Sequence, residues 1–178
     1  MVGVPGVGKT SLCSEASQSL GYTYVNYGEL MLELAKKGNY ALSQEEMFKL
    51  PLELQYDIWL EAAQYVRDLT TNNKNLSGVL VDLHGIDISK KGYLISLPVK
   101  IIKPQIIILV ESTYNQIIQH RINDPERTRS IERLKTIKQN MELLRNSMAV
   151  SSAITGSYLA VLENVDFEES LKRLKKYL

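Results

Sequence analysis

Along the 178-residue chain, short apolar runs alternate with longer stretches in which apolar residues recur every three or four positions. A parallel sheet covered by helices has this pattern. The runs predict strands over 22–27, 79–83, 105–110 and 158–162. The periodic stretches predict helices over 9–20, 29–37, 44–50, 52–69, 114–122, 131–154 and 167–177. Ile106-Ile107-Ile108-Leu109-Val110 has no polar alternation and reads as a strand buried on both faces. Gly21, Gly38 and Gly156 follow helices where a left-handed stop is expected. Ser43 with Glu46, and Asp166 with Glu169, have capping-box spacing, and Pro51 is placed to open the next helix. The Thr- and Asn-rich residues 71–77 read as a surface loop. No repeat or low-complexity tract divides the chain, so residues 1–178 are expected to form one domain.

Composition narrows the class. With 44% hydrophobic and 23% charged residues the chain can bury a core, which excludes global disorder. Lys and Arg total 21 against 20 Asp and Glu, a net charge of +1, so no nucleic-acid partner is expected. No apolar run reaches the length of a membrane span and no signal-peptide pattern is present, so no membrane partner is expected and the location reads as cytoplasmic. The single cysteine, Cys13, excludes an internal disulfide and a cysteine metal cluster, and its place beside Leu12 reads as a buried apolar position.

The strongest chemical signal is Gly3-Val4-Pro5-Gly6-Val7-Gly8-Lys9-Thr10-Ser11, a full G-x-x-x-x-G-K-[ST] match. Glycines let the backbone bend around an anion and aim N–H groups at it, and the helix that follows adds its positive end. Lys9 is placed to reach the β- and γ-phosphates of ATP, and the Thr10 hydroxyl to ligate Mg²⁺. Only Met1 and Val2 precede Gly3. The first, normally central strand is therefore expected to be truncated or missing, with neighbouring strand edges exposed and the natural chain starting several residues earlier. Val79-Leu80-Val81-Asp82 is an apolar run ending in a carboxylate, which in such a sheet falls beside the P-loop and can hold Mg²⁺, partly through water. His84 reads as a hydrogen-bonded structural residue before it reads as a ligand or base. Arg121, Arg127 and Arg129, with Arg145 farther on, read as a phosphate clamp, whereas Arg133 reads as part of a solvated face. Trp59 reads as core or subunit contact, and Lys172-Arg173-Leu174-Lys175-Lys176 as a solvated helix face.

Further matching pieces are Asn26-Tyr27-Gly28-Glu29 with Met31, Met47 with Lys49-Leu50-Pro51, and Val81-Asp82 with His84. Gly92-Tyr93-Leu94 with Leu97-Pro98, Asn123-Asp124 with Arg127 and Arg129, and Arg145 with Gly156 complete the set. In this order and spacing the chain resembles the archaeal-type adenylate kinases, within the P-loop nucleoside-monophosphate kinase superfamily, over nearly its whole length. The resemblance implies an α/β P-loop NTPase three-layer fold with a parallel five-stranded sheet. It also implies a helical insert over about 29–69 that binds the nucleoside monophosphate, a short lid over about 122–131, and a homotrimer. The activity it implies is Mg²⁺-dependent transfer between ATP and AMP, giving two ADP. Lys9 and the loop would hold ATP, with Thr10 and Asp82 serving the metal. Arg121 would lie against ATP, while Arg127, Arg129 and Arg145 would bridge the two nucleotides. Asn26, Tyr27, Gly28, Glu29 and His84 would form the monophosphate site. Two positions depart from the family: Phe48 stands where it has arginine, and Ile88 where it has a basic residue. Glu29 replacing the family's aspartate is milder. Lys49, Lys90 and Lys91 could substitute, although lysine lacks a bidentate fork. Two alternatives follow: a kinase for another nucleoside monophosphate, and a nucleotide-binding switch without transfer activity.

Overall fold

The computed structural model describes residues 1–72, 76–89, 92–123 and 134–178. Four strands lie where the apolar runs place them: β1 (Thr23–Asn26), β2 (Val79–Asp82), β5 (Ile106–Glu111) and β6 (Tyr158–Glu163). β1 pairs with β2 and β5 with β6, both parallel. Residues 1–3 fill the gap between these pairs. Val2 bridges Leu109 in parallel, Leu83 N–H donates to the Met1 carbonyl at 3.1 Å, and Val110 N–H donates to that of Val2 at 2.8 Å. At the carboxyl ends of the strands the sheet is thus continuous in the order β1, β2, residues 1–3, β5, β6. The expected exposure of neighbouring strand edges is corrected there. Three residues suffice to pair both neighbours beside the P-loop, and Val2 is only 1% exposed.

Helices α1 (Lys9–Leu20) and α8 (Phe167–Tyr177) pack on each other, as do α4 (Leu52–Asn72) with α5 (Val99–Ile102) and α5 with α7 (Leu134–Thr155). Such groups cover a sheet in which β5, next to residues 1–3, is buried along nearly its whole length. Between β1 and β2 the chain makes α2 (Tyr27–Lys37), α3 (Gln44–Met47) and α4, with a small core of their own around Ala35, Ala41, Met47 and Ile58. α6 (Tyr114–Ile122) leads away from β5.

The end signals act mostly as expected. Gly21 and Gly156 are left-handed at φ 66° and 69°. Ser43 Oγ accepts from Glu46 N–H, and Asp166 from Glu169 N–H. Gly38 is different: it stays right-handed, and Asn39 takes the positive φ of 57° instead. Asparagine tolerates that conformation by hydrogen bonding locally. α2 starts two residues before the predicted helix because the Asn26 side chain accepts from Gly28 and Glu29 N–H. Thr71 and Asn72, predicted as loop, extend α4, with both threonine hydroxyls, Thr70 and Thr71, bonding back to the Arg67 carbonyl. The sequence reading also lacks the antiparallel hairpin of β3 (Ile86–Ser89) and β4 (Gly92–Ile95), and α5. All four β4 residues are exposed, so no buried face imposes an alternating pattern.

Candidate active site

The P-loop glycines answer three different constraints. A Cβ on Gly3 would meet the Val110 carbonyl at 2.5 Å, because β5 runs against the loop's first residue. Gly6 and Gly8 have φ of 98° and 84°, in the region that side chains disfavour. Gly8 is also pressed by Asn164, whose Nδ2 donates to the Val7 carbonyl at 2.8 Å. From α6, His120 Nδ1 meets the Gly6 carbonyl at 2.8 Å and Arg121 Nε donates to the Pro5 carbonyl at 2.9 Å. Carbonyls at Pro5, Gly6 and Val7 are therefore engaged by side chains from α6 and from the end of β6, which keeps them from facing an anion in the loop. Lys9 is buried, its ammonium donating to the Gly3 carbonyl at 2.8 Å, folded back across the loop.

Beside the loop, Thr10 Oγ1 donates to Asp82 Oδ2 at 2.7 Å, although the two stand 72 positions apart in the chain. Asp82 is 5% exposed and also accepts from the Tyr24 hydroxyl at 3.4 Å. Burial first, and the Asp82 charge second, push the Tyr24 phenol well above its ordinary pKa, so Tyr24 stays a donor. Hydroxyl and carboxylate oxygens are the donor set that suits a hard divalent cation such as Mg²⁺. Among the described residues no cluster of His, Cys, Asp and Glu offers a rival metal site.

Asn26 lies in register with Asp82 on the adjacent strand, so the start of α2 opens directly beside the Thr10–Asp82 pair. Its amide also reaches Glu29 at 2.9 Å. Tyr27 is 3% exposed and donates to the Trp59 carbonyl at 2.5 Å, which makes it a pin between α2 and α4 and leaves no free hydroxyl for a ligand. Trp59 in turn donates to the Ser96 carbonyl and packs against the main core. His84 is half-exposed, with Nδ1 3.6 Å from Asp87 Oδ1. Burial would raise the Asp87 carboxyl, but hydrogen bonds from His84 and Ser96 outweigh it and hold the pKa below the ordinary value. Arg145 makes a two-pronged contact with Glu111 at the end of β5, through Nε at 3.1 Å and through Nη2. Phe48 and Ile88 are 63% and 56% exposed. Arg127, Arg129, Arg133, Lys90, Lys91 and most of the expected lid lie outside the described residues.

Sequence reasoning missed Tyr24, Glu111, His120 and Asn164. Glu111 and Asn164 stand at or just past the carboxyl ends of β5 and β6, where ligands gather in parallel sheets, and that rule could have flagged them.

The parallel sheet, the strand–glycine loop–helix turn and the hydrogen-bonded Thr10–Asp82 pair define a P-loop kinase. Two solved structures share the fold at 12% identity: a Janibacter sugar kinase, with TM-score 0.57, 99% of this chain and 90% of that one, and the shikimate kinase of Bacteroides thetaiotaomicron, with TM-score 0.58, 99% and 94%. A family model described as an AAA domain matches residues 2–138. An "adenylate kinase homolog" of Methanothermobacter thermautotrophicus is 48% identical over 96% of this chain and 86% of its own length. The adenylate kinase of Methanopyrus kandleri is 34% identical over 96% and 91%, and a second Methanothermobacter protein, named adenylate kinase, is 30% identical over 100% and 97%. The chain belongs to the archaeal-type adenylate kinase family.

Proposed function

We propose that the protein transfers the γ-phosphoryl group of ATP to AMP, reversibly, giving two ADP. The observation that carries this reading is the 2.7 Å contact between Thr10 and Asp82 at the mouth of the phosphate loop. It joins the loop's hydroxyl to the carboxylate expected to serve the metal. Mg²⁺ bound there through Thr10 and Asp82 would neutralise charge between the β- and γ-phosphates. Lys9 leaves the Gly3 carbonyl to reach the phosphates, while Arg121 lines the donor side and Arg127, Arg129 and Arg145 bridge donor and acceptor. For Arg145 this requires exchanging the Glu111 carboxylate for a phosphate, a swap between two anions of like geometry. The nucleoside monophosphate enters beside Asn26, Gly28 and Glu29, with residues 29–69 as its insert and residues 122–131 as the lid. No covalent intermediate is needed, because positioning and charge neutralisation supply the acceleration. We place the protein in the cytoplasm as a homotrimer, by family; no described helix is long and apolar enough to cross a membrane.

One observation favours a second reading, a different monophosphate acceptor. Phe48 and Ile88, in place of basic residues, are exposed and apolar, so neither can neutralise an acceptor phosphate. A coupled assay of ADP formation from Mg–ATP with AMP, CMP, UMP, GMP and dTMP decides. AMP should be turned over fastest, and chelating Mg²⁺ should abolish turnover. Negligible AMP turnover with another monophosphate active would replace the first reading by the second. ATP binding without transfer to any would make the protein a switch.

A further inference from the structure

Glu111 ends β5 close to the phosphate loop. The preceding residue, Val110, donates its N–H to the Val2 carbonyl, and its own carbonyl presses on Gly3. The Glu111 carbonyl accepts from Asn164 N–H at 2.7 Å, and the Asn164 side chain in turn holds the Val7 carbonyl of the loop. Strand neighbours on both sides therefore pin this stretch of backbone. The Glu111 side chain is only 10% exposed, so its carboxylate is a fixed acceptor.

A buried carboxylate is costly to keep charged without a partner. Arg145 answers that cost: its Nε donates to one carboxylate oxygen at 3.1 Å and its Nη2 to the other. The pair is uneven. Arg145 reaches over from α7, and its side chain is 56% exposed, so the guanidinium can turn to another anion while Glu111 stays in place. Its departure strips both prongs from a buried carboxylate, which gives the pair a pull toward re-forming.

We propose that Glu111 is a positioning residue that acts through Arg145, holding the guanidinium while the site is empty and taking it back as nucleotide leaves. The inference rests on the phosphotransfer reading above, in which Arg145 bridges the two nucleotides. Glu111 is then an internal substitute for phosphate, matched to the same planar fork. A ligand gains Arg145 only by competing with it, so affinity is lowered by the fraction of molecules in which the arginine is released. Recapture of the arginine speeds dissociation.

The test compares wild type with Glu111→Gln, which keeps the shape and removes the charge, and makes the same change in an Arg145→Ala background. The probes are β,γ-imido-ATP with Mg²⁺, which cannot pass on its terminal phosphoryl group, and diadenosine pentaphosphate, which spans donor and acceptor sites. Kd is read by calorimetry and the dissociation rate by stopped flow. Glu111→Gln should bind both probes at least fivefold tighter and release them at least fivefold more slowly. In the Arg145→Ala background the same change should alter neither quantity. The proposal is overturned if Glu111→Gln binds both probes more weakly, or within twofold of wild type. It is also overturned by a gain that persists without Arg145, because direct repulsion between carboxylate and phosphate would then be the cause. Imido-ATP reports on Glu111 whether or not transfer occurs, so a failed coupled assay sinks the phosphotransfer reading alone. Should the glutamine variant fail to fold, Glu111→Leu is read by the same criteria.

Discussion

At the scale of single residues, the phosphate loop shows that one residue type can serve for different reasons. Gly8 combines a positive φ of 84° with a Cβ position only 2.5 Å from Asn164 Nδ2, whereas Gly21, at φ 66°, has only Ser77 Oγ at 3.9 Å. Gly21→Ala should therefore cost only the left-handed backbone penalty, about 1–2 kcal/mol, seen as a lower denaturation midpoint with ATP affinity unchanged. Gly8→Ala should carry that cost and also displace Asn164 from the Val7 carbonyl, turning it back toward the anion. An ATP affinity at least tenfold weaker, by calorimetry, is expected. Equal ATP affinity in the two variants would refute the role given to Asn164. The loop motif was fully legible in the chain. The carbonyl partners His120, Arg121 and Asn164 were not legible as such, because each acts through a backbone atom more than a hundred positions away.

At the scale of elements, the strands and most helices followed from apolar periodicity, and the caps at Ser43 and Asp166 follow from short polar side chains before helical runs. The β3–β4 hairpin escaped because its second strand is solvent-exposed throughout and lacks a period. Tyr27 carries a structural contact that its place in a family motif does not announce: its hydroxyl ties α2 to the Trp59 carbonyl of α4. Burial raises its pKa well above the ordinary phenol value, so the proton needed for this bond stays in place. Tyr27→Phe should lower stability by about 1 kcal/mol, the net worth of one buried hydrogen bond, while leaving KM for ATP unchanged. A loss of acceptor affinity with stability intact would instead place the hydroxyl in ligand binding.

At the scale of the whole molecule, the P-loop, α1 and the sheet share one core, so ligand binding and global stability should be linked. Cys13 reports on this: it is fully buried on α1, and burial pushes its thiol up to about 12. Thiol reagent at pH 8 should label it only when the molecule opens. Saturation with ATP at about 100 times Kd stabilises by about 2.7 kcal/mol, so labelling should slow about a hundredfold. A rate indifferent to ATP would show that α1 opens while the phosphate loop stays intact. Sequence by itself determined the layered α/β class, the anion-binding turn and the family, since these depend on local periodicity, on glycine's backbone freedom and on residues close in the chain. Only tertiary structure decided that residues 1–3 complete the sheet, that Thr10 meets Asp82, and that Glu111 holds Arg145. Those pairings join distant segments, and only the packed core brings such segments within hydrogen-bonding reach.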